Sequence, residues 1–318
     1  MRAGTTWLSD LLRSYPDCAM TPFKEIHFFD IRYGRYDAIK HYRAKAQRLE
    51  TLSRNVTKRV ENALVKSVGQ QPVEEPNPDS ANDGLAVAWT DELRTRFFSN
   101  AHLDGGLRRI SEIIDYLSLL NNESYVEYLK RHGVGAKAFG EITPTYGLLP
   151  ACGIAEMDSL FPGAQFIFVM RDPVDRLWSH VRFRAAKAER RGHGPEDLNE
   201  EFRRAMSRPN AIEMSSYQRT IETLESVIPP DRILYLFYEK MTSVQTGPAE
   251  VRRIEAALGL DPADIDPKIF TTAINASAPG KLNPENEAAA TNMFAPVYKF
   301  VHERFGLPAL WRMPKNLS

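Results

Sequence analysis

Near the start of the chain stands Arg2-Ala3-Gly4-Thr5-Thr6-Trp7-Leu8, followed by a helical pattern from Ser9 to Ser14. A cation, a small turn and two hydroxyls at a helix start are the parts of a phosphate cradle. Backbone N–H groups and the positive end of the helix dipole would face the anion. Gly4 lets the backbone approach without a Cβ, and Thr5 and Thr6 add hydroxyl donors. A plain helix cap uses the same residue types. The segment is not a Walker A loop, because G-x-x-x-x-G-K-[ST] is absent.

A second group of residues runs from Met170 to His180 (MRDPVDRLWSH). Arg171 is expected at the carboxyl end of a strand, where open α/β sheets bind ligands. Asp172 reads as a helix N-cap with Pro173 at the first helical position. Ser179 follows about two turns into that helix. A strand-end cation and a helix hydroxyl can grip one phosphate between them; a surface ion pair and a solvent-facing serine are the alternative. A third segment is Lys24-Glu25-Ile26-His27-Phe28-Phe29-Asp30, reached through a short crossover, Pro16 to Pro22. If Lys24 to Phe29 is extended, Glu25 and His27 point to one face. Glu25 is then a candidate general base and His27 its positioning partner. The other reading of Glu25 is a solvated carboxylate paired with Lys24.

The elements that must hold these residues are legible as short apolar runs. Gln165 to Met170 (QFIFVM), Ile233 to Tyr238 (ILYLFY) and, more weakly, Ala136 to Phe139 predict buried strands. Helical patterns cover 172–188, 215–227, 249–258 and 288–305. In the first of these, Leu177 and Val181 fall four apart, on one face. Strands alternating with helices predict an α/β fold with a parallel sheet covered on both sides. Residues 40–130 read as a helical insertion, with helices over 54–68, 91–98 and 110–130 around a surface loop at 70–84 (QQPVEEPNPDSANDG). Either it covers the active site and touches the acceptor, or it is a decorative layer. The whole of 1–318 is expected to be one domain.

Composition narrows the function classes. Hydrophobic residues at 43% and charged residues at 26% of 318 exclude wholesale disorder and fibrous repeats. Lys+Arg and Asp+Glu are 41 each, so no overall basic field invites nucleic acid. Cys18 and Cys152 form no C-x-x-C, and no His/Asp/Glu cluster has ligand spacing, so no metal is expected. No apolar run approaches the roughly 20 residues of a membrane helix. Neither a transmembrane segment nor a signal peptide is expected, and the expected compartment is the cytoplasm.

The first two segments together resemble the sulfotransferases that use 3′-phosphoadenosine 5′-phosphosulfate (PAPS). In that family a Lys/Arg-x-Gly-Thr-Thr-x-Leu loop binds the 5′-phosphosulfate, and a later Arg-Asp-Pro-x-x-Arg-x-x-Ser segment binds the 3′-phosphate. Lys24 to Asp30 looks like the Lys-Glu-x-His-Phe-Phe segment of the heparan-sulfate and bacterial carbohydrate branch. Gly140-Glu141-Ile142-Thr143-Pro144-Thr145-Tyr146 is similar to that branch's Gly-Glu-Lys-Ser/Thr-Pro-x-Tyr. The tail from Phe305-Gly306 to Trp311 looks like the family's closing Phe-Gly…Leu-x-Trp.

The resemblance implies a P-loop-like central parallel sheet flanked by helices, with a helical insertion. It implies PAPS as co-substrate, no metal, and an acceptor hydroxyl or amine on a carbohydrate or glycolipid. Arg2, Ala3, Gly4, Thr5, Thr6, Arg171 and Ser179 are then donor-binding residues, with Lys281 reaching the 3′-phosphate from a late loop or lying solvated. Trp7 stacks on the adenine or belongs to the core. Glu25, Arg2 and His27 are the implied catalytic residues. Three departures stand out. Arg2 replaces the usual Lys and cannot serve as a proton donor. Ile142 stands where the branch often has Lys. Only Met1 precedes the phosphate loop where a first strand is expected, which leads to the expectation that the natural protein starts roughly 10 residues earlier. The alternatives are a P-loop small-molecule kinase, which would need the absent GK[ST] and a metal-binding Asp at a strand end, and a non-catalytic PAPS-binding protein.

Overall fold

Parallel strands and the helices that cover them account for most of the computed structural model. It describes residues 3–35, 50–58, 112–117, 121–192, 197–271, 280–306 and 308–312, with isolated positions between 47 and 119 and at 314. Strand β1 (Cys18–Met20) pairs in parallel with β2 (Ala138–Gly140), from Cys18 opposite Ala138 to Met20 opposite Gly140. Strand β3 (Phe166–Met170) pairs in parallel with β4 (Ile233–Phe237), from Phe166 opposite Ile233 to Met170 opposite Phe237. Among the described residues the two pairs are not hydrogen-bonded to each other, so the expected central sheet is found as two parallel pairs.

Side-chain alternation along β3 and β4 sorts their residues into two cores. Val169 and Leu236 join one, where helix α1 (Thr5–Arg13) buries Trp7, Leu8, Leu11 and Leu12 beside Cys18 of β1. This cluster contains residues of both strand pairs and so holds them together under α1. Met170 and Phe237 face the other core, with Leu177, Trp178 and Val181, Phe202, Tyr217, Phe294, Tyr298 and Trp311. Burying each such side chain contributes about 1.5–3 kcal/mol.

The helix expected from Asp172 runs Pro173–Glu189 (α2), and the Asp172 carboxylate accepts from the amides of Val174 and Asp175. Leu177 and Val181 lie on its buried face. The patterns over 215–227 and 249–258 are found as Tyr217–Glu225 and Gly247–Leu258. The single helix expected over 288–305 is instead two, Pro284–Met293 and Ala295–Phe305, broken at Phe294. Pro296 has no N–H to give the Asn292 carbonyl, which ends the first helix. Strand β1 was hidden inside the Pro16–Pro22 crossover because three residues between prolines show no measurable alternation.

The chain divides into two units, one of residues 1–36 with 126–318 and one of residues 37–125. In the second, residues 50–58 are helical, and Ile113, Tyr116 and Leu119 are buried. The expected helix over 91–98 and loop over 70–84 lie outside the described residues.

Leu236 is fully buried at the centre of the α1 core, whereas Val134 is 83% exposed. Leu236→Ala is expected to lower the unfolding free energy by about 2–5 kcal/mol. Val134→Ala should stay within about 0.5 kcal/mol. Urea denaturation of both variants checks the contrast.

Candidate active site

Gly4 begins the site because its geometry admits no other residue without strain. Its φ is 85°, in the left-handed region, at the position that caps α1. A Cβ there would lie 2.4 Å from Cδ2 of Tyr238 and 3.0 Å from the Met241 methyl carbon. The amides that open α1 have no acceptor within the helix and carry its positive end. Ala3, Gly4, Thr5 and Thr6 are all half-buried. Arg2 lies outside the described residues.

Lys24 completes this turn. Its Nζ donates to the hydroxyls of Thr5 (3.1 Å) and Thr6 (2.8 Å). The parallel pairing of β1 with β2 brings it there. Past the ladder, the Thr21 amide donates to the Gly140 carbonyl and the Ile142 amide to the Lys24 carbonyl. The Ile26 amide donates to the Thr143 hydroxyl (3.0 Å). Sequence reasoning treated Lys24 only as a partner for Glu25. The signal it lacked was β1, which carries the segment back to the α1 turn.

Arg171 follows β3, and its guanidinium carbon sits 4.4 Å from the centroid of the Tyr238 ring. The same ring abuts Gly4 along its Cδ2–Cε2 edge. Tyr238 directly follows β4, so the parallel register sets it beside the end of β3. A cation at one strand end and an amide-lined turn thus touch one aromatic side chain. Tyr238 could have been found from sequence, since it closes the apolar run ILYLFY at the carboxyl end of a parallel strand. Ser179 is buried on α2, 6% exposed. Arg176, one turn after the Asp172 cap, is buried and donates from Nε to the Ser215 hydroxyl.

The family described as "Sulfotransferase family" matches residues 1–264. The chain belongs to the sulfotransferase family. Among solved structures, a sulfotransferase from Alicyclobacillus acidocaldarius is similar at 17% identity, over 96% of this chain and 93% of its own, with a TM-score of 0.53; this likeness is one of fold. A sulfotransferase from Mycobacterium avium is similar at 16% identity, over 98% of this chain and 76% of its own, with a TM-score of 0.47. No curated protein sequence matches. No helix among the described residues of this sulfotransferase is long and apolar enough to cross a membrane.

Next to Lys24 the sulfotransferase carries a line of polar groups. Glu25 Oε2 lies 3.5 Å from His27 Nε2, and His27 Nδ1 lies 2.7 Å from Asp30 Oδ2. The Thr145 hydroxyl donates to the same Asp30 oxygen. Glu25 and His27 meet, but not along the expected extended strand. His27 adopts φ 61° and caps a short helix, Phe28–Arg32, and this left-handed residue turns its ring toward Glu25. Such a backbone is strained for a non-glycine residue and persists where surrounding contacts impose it.

Burial alone would raise the Glu25 carboxyl. The hydrogen bond from His27 and the charges of Lys24 and His27 outweigh burial and hold it below the usual range. Burial alone would lower His27, yet the hydrogen bonds to Asp30 and Glu25 raise it to about 9. His27 is therefore a cation between two carboxylates at neutral pH, and it cannot take a proton from an acceptor. Glu25, ionised and one-third exposed, can.

Two sequence candidates sit apart from this cluster. Trp7 is 3% exposed, gives its Nε1 proton to the Ile269 carbonyl (2.9 Å) and leans on Phe270. Its place is in the α1 core. Lys281 is exposed, with its carbonyl accepting from the Asn199 amide group. The neighbouring Gly280 packs near Trp178 and Leu198, so the loop touches α2 while the lysine side chain is at the surface.

His27 has a folded-state pKa raised from 6.5 to about 9. Its protonation stabilises the fold fully below about pH 6.5, and that contribution is lost as pH rises toward about 9. NMR titration of His27 should find the imidazolium at neutral pH. The stability difference between about pH 6 and about pH 9 should shrink in His27→Gln.

Proposed function

We propose that this sulfotransferase takes its sulfuryl group from PAPS and delivers it to a hydroxyl or amine of a carbohydrate or glycolipid acceptor. The observation that carries this reading is the shared contact of Gly4 and Arg171 with Tyr238. An amide-lined turn and a strand-end guanidinium against one ring support a reading in which both serve one nucleotide bearing two separate anionic arms. The cradle fits such a donor, because the first amides of α1 need an acceptor and the Thr5 and Thr6 hydroxyls and the Lys24 ammonium stand beside them.

The donor, when bound, supplies the sulfuryl group and a phosphate leaving group. The α1 amides, the Thr5 and Thr6 hydroxyls and the Lys24 ammonium stabilise negative charge at the turn. Lys24 supplies there the ammonium that an arginine at position 2 does not, and Arg2 adds its charge to the same loop. Arg171 grips the 3′-phosphate, with Ser179 contributing from α2. Glu25 accepts the acceptor's proton. His27, held by Asp30 and Thr145, orients that carboxylate and keeps it ionised. Trp7 supports the turn from beneath. Lys281 serves at most an outer contact from its exposed loop. A carbohydrate acceptor is supported by the Lys24–Phe29 likeness to the carbohydrate branch. Charge stabilisation at the turn comes from amides and cations of this chain, so the scheme calls on no metal.

Two variants test the scheme. Arg171→Ala should raise the KM for PAPS by roughly tenfold to 150-fold, the loss of about 1.5–3 kcal/mol from one charge-assisted contact. Glu25→Gln should lower kcat by about 10²–10⁴-fold with little change in donor KM. Both are measured by transfer from radiolabelled PAPS to a panel of glycans, glycolipids and phenols. Tight binding of 3′,5′-ADP without transfer to any acceptor would point to a non-catalytic nucleotide-binding protein instead.

A further inference from the structure

The sequence motif that closes the chain, ending in Trp311, has no part in the scheme above. Its contacts converge on the turn that carries Arg171. The Tyr217 hydroxyl donates to the Arg171 carbonyl (2.5 Å). The next amide, that of Asp172, donates to Glu239 Oε1 (3.0 Å). Glu239 Oε2 accepts the indole proton of Trp311 (2.7 Å). The Asp172 carboxylate, fully buried, accepts on Oδ2 from the Tyr298 hydroxyl (2.9 Å) and the Arg312 amide (3.0 Å). On Oδ1 it accepts from the Arg312 guanidinium (2.8 Å) as well as from its own helix start. Arg312 also reaches Asp175 and Glu287.

Two consecutive residues near the end of the chain therefore supply donors to two carboxylates, the buried Asp172 and the partly buried Glu239, that fix the peptide after Arg171. Glu239 also follows Tyr238 in the chain, and the Tyr238 ring bears the Arg171 guanidinium. One carboxylate thus ties the backbone of the cation to the backbone of its aromatic support. Burial pushes Asp172 and Glu239 above the usual carboxylate range even with these donors present. Removing a donor from such a group is expensive, so the turn would shift to find another.

We propose that Trp311 and Arg312 are positioning residues that latch their segment onto Glu239 and Asp172, and so aim Arg171 at the 3′-phosphate of the nucleotide. The proposal rests on the reading of Arg171 given above. It makes the segment at Trp311 and Arg312 part of donor recognition without contact to the donor.

The test uses the full chain and two probes, 3′,5′-ADP and 5′-AMP, which differ by the 3′-phosphate. Trp311→Phe removes the indole N–H and keeps a ring among Tyr217, Phe237 and Tyr298. Calorimetry should show the preference for 3′,5′-ADP over 5′-AMP falling about tenfold, one lost hydrogen bond to a charged acceptor. In an Arg171→Ala background the same change should leave the preference unaltered, because the two act on one contact. Glu239→Gln leaves one acceptor oxygen for two donors, so either the Trp311 indole or the Asp172 amide loses its partner, and it should reduce the preference in the same way should Trp311→Phe fold poorly. An unchanged preference, equal weakening of both probes, or an undiminished effect without Arg171 overturns the latch. If Arg171→Ala alone leaves the preference intact, the phosphate role of Arg171 fails first and the latch falls with it.

Discussion

An aromatic ring that bears a guanidinium on its face and abuts a glycine along its edge constrains three chain segments at once. Tyr238 does this for Arg171 and Gly4. The cation–π contact is worth about 0.5–2 kcal/mol, modest as a stabiliser. Its geometric effect is larger, because the ring stands where a Cβ at position 4 would lie, so that only glycine fits against it at φ 85°. The distance between the α1 turn and the end of β3 is thereby set by side-chain packing as well as by the sheet.

Charge is distributed around that contact by environment more than by residue type. Glu25 and Glu239 are both partly buried glutamates, yet one is held below the ordinary range and the other pushed above it. Glu25 faces two cations, Lys24 and His27. Glu239 has neutral donors, an indole and an amide, as its nearest partners, and Arg171 lowers it only weakly. Glu25 is one-third exposed at its side chain. Glu239 serves as a structural tie between the Asp172 amide and the Trp311 indole.

Much of this layout was legible beforehand. The runs QFIFVM and ILYLFY became β3 and β4 because strands buried on both faces read as continuous apolar stretches. The Asp172-Pro173 pair announced its helix start, and the strand-end position of Arg171 followed. What failed to show was short or was set from a distance. β1 is three residues long, and the helix break at Phe294 came from one proline inside an otherwise helical pattern. The left-handed His27 lies in a segment whose composition suits a strand, and its conformation is imposed by Asp30, Glu25 and Thr145 together.

By itself, then, the sequence determined which residue types could serve an anion, the order of strands and helices that carry them, and the family likeness in their spacing. These are local matters of propensity, capping and periodicity. Only the tertiary structure decided that Lys24 rests on Thr5 and Thr6, that Tyr238 joins Gly4 to Arg171, and that Trp311 and Arg312 close over Asp172 and Glu239. Each of those contacts joins positions far apart in the chain. They exist because parallel strands place their ends side by side, and no local pattern encodes which ends will be neighbours.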